Sequence, residues 1–182
     1  MKIVIRGTAY PYRGGLATFN ERLARQFQVE GHDVEVVTFT LQYPSFLFPG
    51  KTQYSNEVAP TDLSIKRWVN SCNPFNWVSV GRKIRKMQPD MLITCYWMAF
   101  FAPCYGIIER IVKGNGKTRC LALVHNMIPH EPSLLDKLFA PFYVKSTDGF
   151  VALSDCVVRD IDRLDNHHQL TTFSSHPIYA YY

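Results

Sequence analysis

Two clusters in the chain hold residue types able to do chemistry: Arg13-Gly14-Gly15, and the run from His125-Asn126 to His130-Glu131. A histidine can ligate a metal, move a proton or hydrogen-bond a ligand, and its neighbours decide between these roles. His125, His130 and Glu131 together suggest a metal. However, H-x-x-x-x-H-E crosses a proline-containing loop instead of forming the one-face H-E-x-x-H of a helix, and no cysteine pair joins it. Metal binding is therefore disfavoured, and no metal is expected. Ser-His-Asp hydrolysis is disfavoured too, because no G-x-S-x-G is present. Two readings stay open: His125 and Asn126 face a sugar or phosphate ligand, or His125 satisfies the backbone of its own loop.

The glycine pair is read the same way. A nicotinamide fingerprint needs G-x-G-x-x-G, whereas Gly7 is separated from Gly14-Gly15 by six residues that include Pro11. A P-loop fails because no Gly-Lys-Ser/Thr follows. Adjacent glycines ahead of a helix leave its unpaired N–H groups and positive dipole end open to an anionic or sugar ligand, with Leu16 opening the helix and Arg13 a possible phosphate contact. The alternative is a turn and nothing more.

These clusters need elements to position them, and the hydrophobic pattern supplies them. Residues 1–6 read as a strand, Gly15 to Glu30 as a helix with Leu16, Phe19, Leu23 and Phe27 on one face, and Asp33 to Thr38 as a second strand. Leu41 to Pro60 reads as a long loop or short hairpin at the edge that carries the glycines. Leu63 to Val69 is a third strand, Asn76 to Met87 a helix, and the apolar run Met91 to Cys95 a strand buried on both faces that ends at Tyr96-Trp97. A helix from Ala99 to Lys113 precedes a buried strand, Cys120 to Val124. A helix kinked at Pro141 runs from a Ser133/Asp136 capping box towards Lys145, then come a strand Gly149 to Leu153, an N-cap at Ser154, a helix Cys156 to Leu164 and a short strand Leu170 to Phe173. Such alternation predicts a Rossmann-like α/β fold, a doubly wound and mostly parallel sheet with helices on both faces. Ligands in such sheets gather at the carboxyl ends of the strands, near the switch point. On this reading Thr8 to Gly15, Gln42 to Pro49, Tyr96-Trp97 and His125 to Glu131 all fall on that edge.

Composition bounds the function. With 182 residues and 47% hydrophobic content, one domain with a substantial core is expected. No run of eighteen apolar residues is present, and Met1-Lys2 leads directly into a strand. Five cysteines, at 72, 95, 104, 120 and 156, are odd in number and lack C-x-x-C spacing, so they read as reduced core thiols of a cytoplasmic protein. The net charge of +5 is unevenly spread: between Leu63 and Pro89 there is no Asp or Glu, while Lys66, Arg67, Arg82, Lys83, Arg85 and Lys86 all fall inside. That segment suits nucleic acid, anionic lipid or a phosphorylated ligand, against the plain alternative of a solvated helix face. Trp68, Phe75 and Trp77 interleave with the cations, which favours a membrane interface. Paired aromatics of an RNA-binding sheet are missing, so no nucleic-acid partner is expected. A non-catalytic module that binds an anionic membrane or phosphorylated ligand is the second functional reading.

Taken together, several segments resemble the N-terminal domain of family 4 glycosyltransferases, which have the GT-B fold of two facing Rossmann-like domains. They are Tyr10-Pro11-Tyr12-Arg13-Gly14-Gly15, Leu23-Ala24 through Gly31-His32-Asp33-Val34, Pro89-Asp90, His125-Asn126 with Pro129-His130-Glu131, and Asp148 to Ser154. Asn70 to Trp77 and Tyr96 to Pro103 resemble a bacterial subgroup, for which a role in cell-envelope polysaccharide synthesis is expected; His176-Pro177-Ile178-Tyr179 resembles a link into a second domain.

The resemblance implies a retaining transferase that works without a metal or other cofactor. It would move a sugar from a nucleotide-sugar donor to a glycan or lipid-linked acceptor, in the cytoplasm or at the inner face of the membrane. It further implies that Gly14 and Gly15 lie against the donor diphosphate and acceptor, and that His125 hydrogen-bonds the transferred sugar. Arg13, Leu16, Tyr96, Trp97, Asn126 and Glu131 would be donor or acceptor contacts. Relatives carry a Glu-x7-Glu motif in the donor-binding domain, and no two glutamates here are so spaced. Residues 1–176 are accordingly expected to be the acceptor-side domain and 177–182 the start of a linker, in a piece of a longer protein with little or no transferase activity alone.

Overall fold

The computed structural model describes residues 1–44, 53–128, 134–165 and 170–175. Seven strands form one sheet: β1 (Lys2–Arg6), β2 (Asp33–Leu41), β3 (Ser64–Asn70), β4 (Met91–Tyr96), β5 (Arg119–Val124), β6 (Gly149–Ala152) and β7 (Leu170–Phe173). Their spatial order is β3-β2-β1-β4-β5-β6-β7 and every pairing is parallel. Chain direction across the sheet reverses between β1 and β4, which makes that pair the topological switch point.

Among the described residues five helices connect the strands: α1 (Gly15–Val29), α2 (Pro74–Met87), α3 (Ala102–Lys113, after a 3₁₀ turn at 99–101), α4 (Leu134–Val144) and α5 (Asp155–Leu164). Their ends follow local chemistry. Helix α1 stops at Gly31, whose φ of 83° lets the His32 N–H reach back to Phe27 O at 3.0 Å. Helix α2 starts two residues before the expected Asn76, because Asn73 Oδ1 accepts from the Phe75 and Asn76 N–H groups and Pro74 fits the first turn. Ser154 caps α5 as expected, accepting from Val157 N at 3.3 Å.

Helices do lie on both faces, but unequally. Right-handed crossovers carry β1 to β2 in one direction along the sheet and every helical connection after β3 in the other. Hence, among the described helices, α1 alone packs one face, placing Phe19 and Ala24 against Ile3, Ile5, Val34, Val36 and Ile93. Helices α2 to α5 pack the other, with Val80, Ile84, Ile108, Val112, Tyr143 and Ile161 over Val4, Val37, Leu92 and Val124. Among the described residues no helix lies between β2 and β3; β2 runs three residues past the expected Thr38, with register shifts against β3 at Thr38/Phe39 and Phe39/Leu41.

The core under the switch point contains a charge pair that a strand pattern alone does not reveal. Arg6 and Glu109 are fully buried and meet at 2.8 Å. Arg6 also donates to Thr94 Oγ1 at 2.6 Å and lies 4.3 Å above the Tyr105 ring, while Glu109 Oε1 accepts from Thr94 Oγ1 and, at 3.0 Å, from the Tyr143 hydroxyl. One network thus ties β1, β4, α3 and α4 together. Three cysteines, 95, 104 and 120, are buried as expected, and burial pushes the Cys95 and Cys104 thiols up to about 12. Cys72 and Cys156 are exposed, which corrects their reading as core thiols: Cys72 lies in the β3–α2 turn and Cys156 on the outer side of the first turn of α5.

Candidate functional site: a cleft at the switch point

Because all seven strands run the same way, the loops after β1, β4 and β5 open on one rim. The β1–α1 loop is held along its length by buried polar groups. Gly7 N–H donates to Val37 O, Ala9 N–H to Thr38 Oγ1 at 3.0 Å and Tyr10 N–H to Glu21 Oε1 at 2.9 Å. Asn20, fully buried on α1, donates from Nδ2 to Thr8 O at 2.8 Å, and Gln42 Nε2 donates to Thr8 Oγ1 at 3.2 Å. A Cβ at Gly7 would stand 2.7 Å from Asn20 Nδ2 and 2.9 Å from Cys95 Cβ, so helix, loop and β4 close on a glycine there. The Tyr10-Pro11 peptide is cis. Residues 11–13 pair antiparallel with 53–55 through Arg13 N–H to Gln53 O and Ser55 N–H to Pro11 O, which places the end of the 41–60 segment at the glycine edge, as expected. Residues 45–52 of that segment lie outside the described residues.

At the end of the loop Gly14 has φ 113°, in the region that L side chains rarely adopt, whereas Gly15 has no such constraint and a Cβ there would meet nothing within 4 Å. Helix α1 begins with no side-chain cap and no acidic residue in its first turn. Its leading N–H groups and positive dipole end therefore reach the rim unneutralised, beside the exposed Arg13. Among the described residues Arg13 has no ion-pair partner.

A cavity of about 290 Å³ opens at this point. It is lined by Arg13, Gly14, Gly15 and Leu16 from the end of the loop and the start of α1, by Thr8 and Tyr12 from the same loop, and by Gln42, Tyr43, Gln53 and Trp97. Its walls offer aromatic faces, two side-chain amides and one cation. The Trp97 indole N–H is shielded from solvent and has no hydrogen-bond partner among the described residues. Burial, aided by neighbouring Tyr54, pushes the Tyr12 hydroxyl up to about 12, which keeps it a neutral hydrogen-bonding group.

Of the residues singled out by sequence, the cavity joins Arg13, Gly14, Gly15, Leu16 and Trp97. Tyr96 needs correction. It is fully buried and its ring stacks on Tyr143 at 4.6 Å, because strand alternation sends it into the core while its neighbour Trp97 stays at the rim. His125 stands on the same rim but is not in the cavity lining: its N–H donates to Tyr96 O at 2.9 Å and its ring meets the edge of Phe19 on α1 at 4.9 Å. Asn126 beside it is exposed. His130, Glu131 and Ser133 lie outside the described residues. Gln42 lines the cavity at the start of the Gln42 to Pro49 segment that the sequence placed on this edge, whereas Asn20 and Gln53 escaped the sequence reading. The tight spacing at Gly7 is the only signal that pointed towards Asn20, and it becomes visible only once the helix is folded over the loop.

The basic segment is split by the fold. Lys66 reaches Glu35 at 3.9 Å, and Arg67 donates to Phe39 O at 3.3 Å on the edge strand. Arg82, Lys83, Arg85 and Lys86 remain together on α2, all exposed. No helix among the described residues is long and apolar enough to cross a membrane.

An all-parallel, doubly wound sheet with an uncapped helix and a polar-aromatic cavity at its switch point defines a ligand-binding domain of the Rossmann-like class. Residues 13–171, most of the chain, match the model of Glycosyltransferase Family 4, and the chain belongs to that family. It is a glycosyltransferase domain with the architecture of one GT-B half. No curated protein matches the chain individually.

Proposed function

We propose that this domain is the acceptor-side half of a retaining glycosyltransferase that moves a sugar from a nucleotide-sugar to a glycan or lipid-linked acceptor, acting with a donor-binding second domain. The observation that carries this reading is the cavity at the switch point, lined by the uncapped N-terminus of α1 and Arg13 together with aromatic and amide side chains. In the proposed step the bond between the sugar's anomeric carbon and the diphosphate oxygen breaks, with its electron pair leaving on the diphosphate. The acceptor hydroxyl oxygen bonds to that carbon on the same face, and its proton passes to the departing phosphate oxygen. Charge develops on both fragments, so fixed N–H dipoles and a cation aimed at the phosphates lower the barrier without a protein nucleophile. His125 hydrogen-bonds the transferred sugar. Asn126 and Glu131 contribute polar contacts at the same rim.

No metal takes part in this scheme, so transfer is expected to persist in excess chelator. The test uses the two-domain protein with a panel of nucleotide-sugars, following release of the nucleoside diphosphate and the anomeric configuration of the product by NMR. Turnover that survives EDTA with retained configuration supports the reading. Inversion, or loss of turnover in chelator that added metal restores, overturns it.

A further inference from the structure

The cations of α2 are not used by the cleft, and their arrangement is that of a docking face. At 100° per residue, Phe75, Arg82 and Lys86 fall along one line of the helix, flanked by Val78 and Arg85 on one side and Lys83 on the other. Val80 and Ile84 occupy the opposite, buried side. Phe75 is 89% exposed. Two shallow grooves of about 580 and 500 Å³ adjoin on this face and share Arg82 and Lys86. Among the described residues no carboxylate pairs with any of the four cations. Lys83 instead stands 5.1 Å above the Trp68 ring.

We infer that this face docks on an anionic phospholipid bilayer. Four cations without a carboxylate partner, of which Arg85 also donates to Gly114 O at 2.7 Å, lie along a helix flat on the domain and complement a plane of headgroup phosphates. The exposed aromatic at the helix start supplies the apolar wedge that a headgroup layer accepts. Nucleic acid fits less well: the Trp77 N–H is already given to Asn70 O at 2.8 Å, Trp68 is covered by Lys83, and a single phenyl ring offers no series of stacking platforms. Helix α2 starts where β3 ends, so Phe75 lies at the rim that carries the cleft, and docking brings that rim towards the headgroups. The inference stands apart from the sugar-transfer reading, since it concerns binding alone.

The test is co-sedimentation of the chain with phosphatidylcholine vesicles, with and without phosphatidylglycerol, at low and high salt. Binding is expected only with the anionic lipid and to be lost at high salt. Combined Arg82→Gln, Lys83→Gln and Lys86→Gln should weaken it by about 100-fold. Phe75→Ala should weaken it by about fivefold, by an amount that varies little with salt. A control that removes the same charge elsewhere, Lys137→Gln with Lys145→Gln and Arg159→Gln, should bind like wild type, and circular dichroism confirms folding of both triple variants. Equal loss in the two triple variants, binding indifferent to phosphatidylglycerol, release by inorganic phosphate at matched ionic strength, or preference for single-stranded RNA over vesicles would each overturn the inference.

Discussion

Gly14 and Gly15 are adjacent and chemically identical, yet only the first is demanded by the backbone. Gly14 sits at φ 113°, so Gly14→Ala should cost about 1–3 kcal/mol in urea unfolding. Gly15→Ala, with open space around its Cβ, should be close to neutral for stability. Equal costs at both positions would show that the loop rearranges. The pair was legible in the sequence as a helix entrance, but the assignment of strain was not, because φ is set by the hydrogen bonds that pin residues 7–12. The same limit explains Tyr96 and Trp97. As consecutive aromatics at a strand end they look equivalent, but side-chain alternation buries one against Tyr143 and leaves the other at the cleft.

At the scale of elements, polar pairs tie the sheet to the helices that cover it. Removing one partner of the Arg6–Glu109 pair leaves a charge buried without compensation, so Glu109→Leu should lose about 3–5 kcal/mol of stability. The double variant Arg6→Met with Glu109→Leu should recover most of that loss, and a double-mutant cycle in urea measures the difference. Asp90, at the entry to β4, accepts from Lys2 N at 2.7 Å and pairs with Lys117 at 2.9 Å. The Lys2 N–H first, then Lys117, hold its carboxyl below the ordinary carboxylate value. Its contribution is therefore present above about pH 4 and fades as pH falls through the lowered value. The Tm difference between wild type and Asp90→Asn should accordingly be full at neutral pH and close in acid. Strands and helices were legible because their periodicities differ and Gly, Pro, Asn and Ser mark their ends. The start of α2 was misplaced by two residues, although Asn73-Pro74 is itself an N-cap signal. The solitary position of α1 follows from crossover handedness once strand order is known, and strand order is not written in local pattern.

At the scale of the molecule, the fold separates two surfaces that the sequence left mixed. Lys66 and Arg67 reach from the edge strand β3 to β2, while four cations collect on α2, outside the cavity lining yet on a helix that starts at the same rim. Family membership fixes the domain's class as that of a glycosyltransferase, and the rim geometry supplies the physical account of how half of a transfer cleft is built. The central claim is that the loops after β1, β4 and β5 form one reaction rim, with His125 acting on the transferred sugar. The most direct test is kcat for sugar transfer by the two-domain enzyme with His125→Ala, measured beside wild type. The account predicts a fall of about 100-fold or more with an unchanged unfolding curve. Turnover like that of wild type would contradict it and leave His125 with a structural role at the rim.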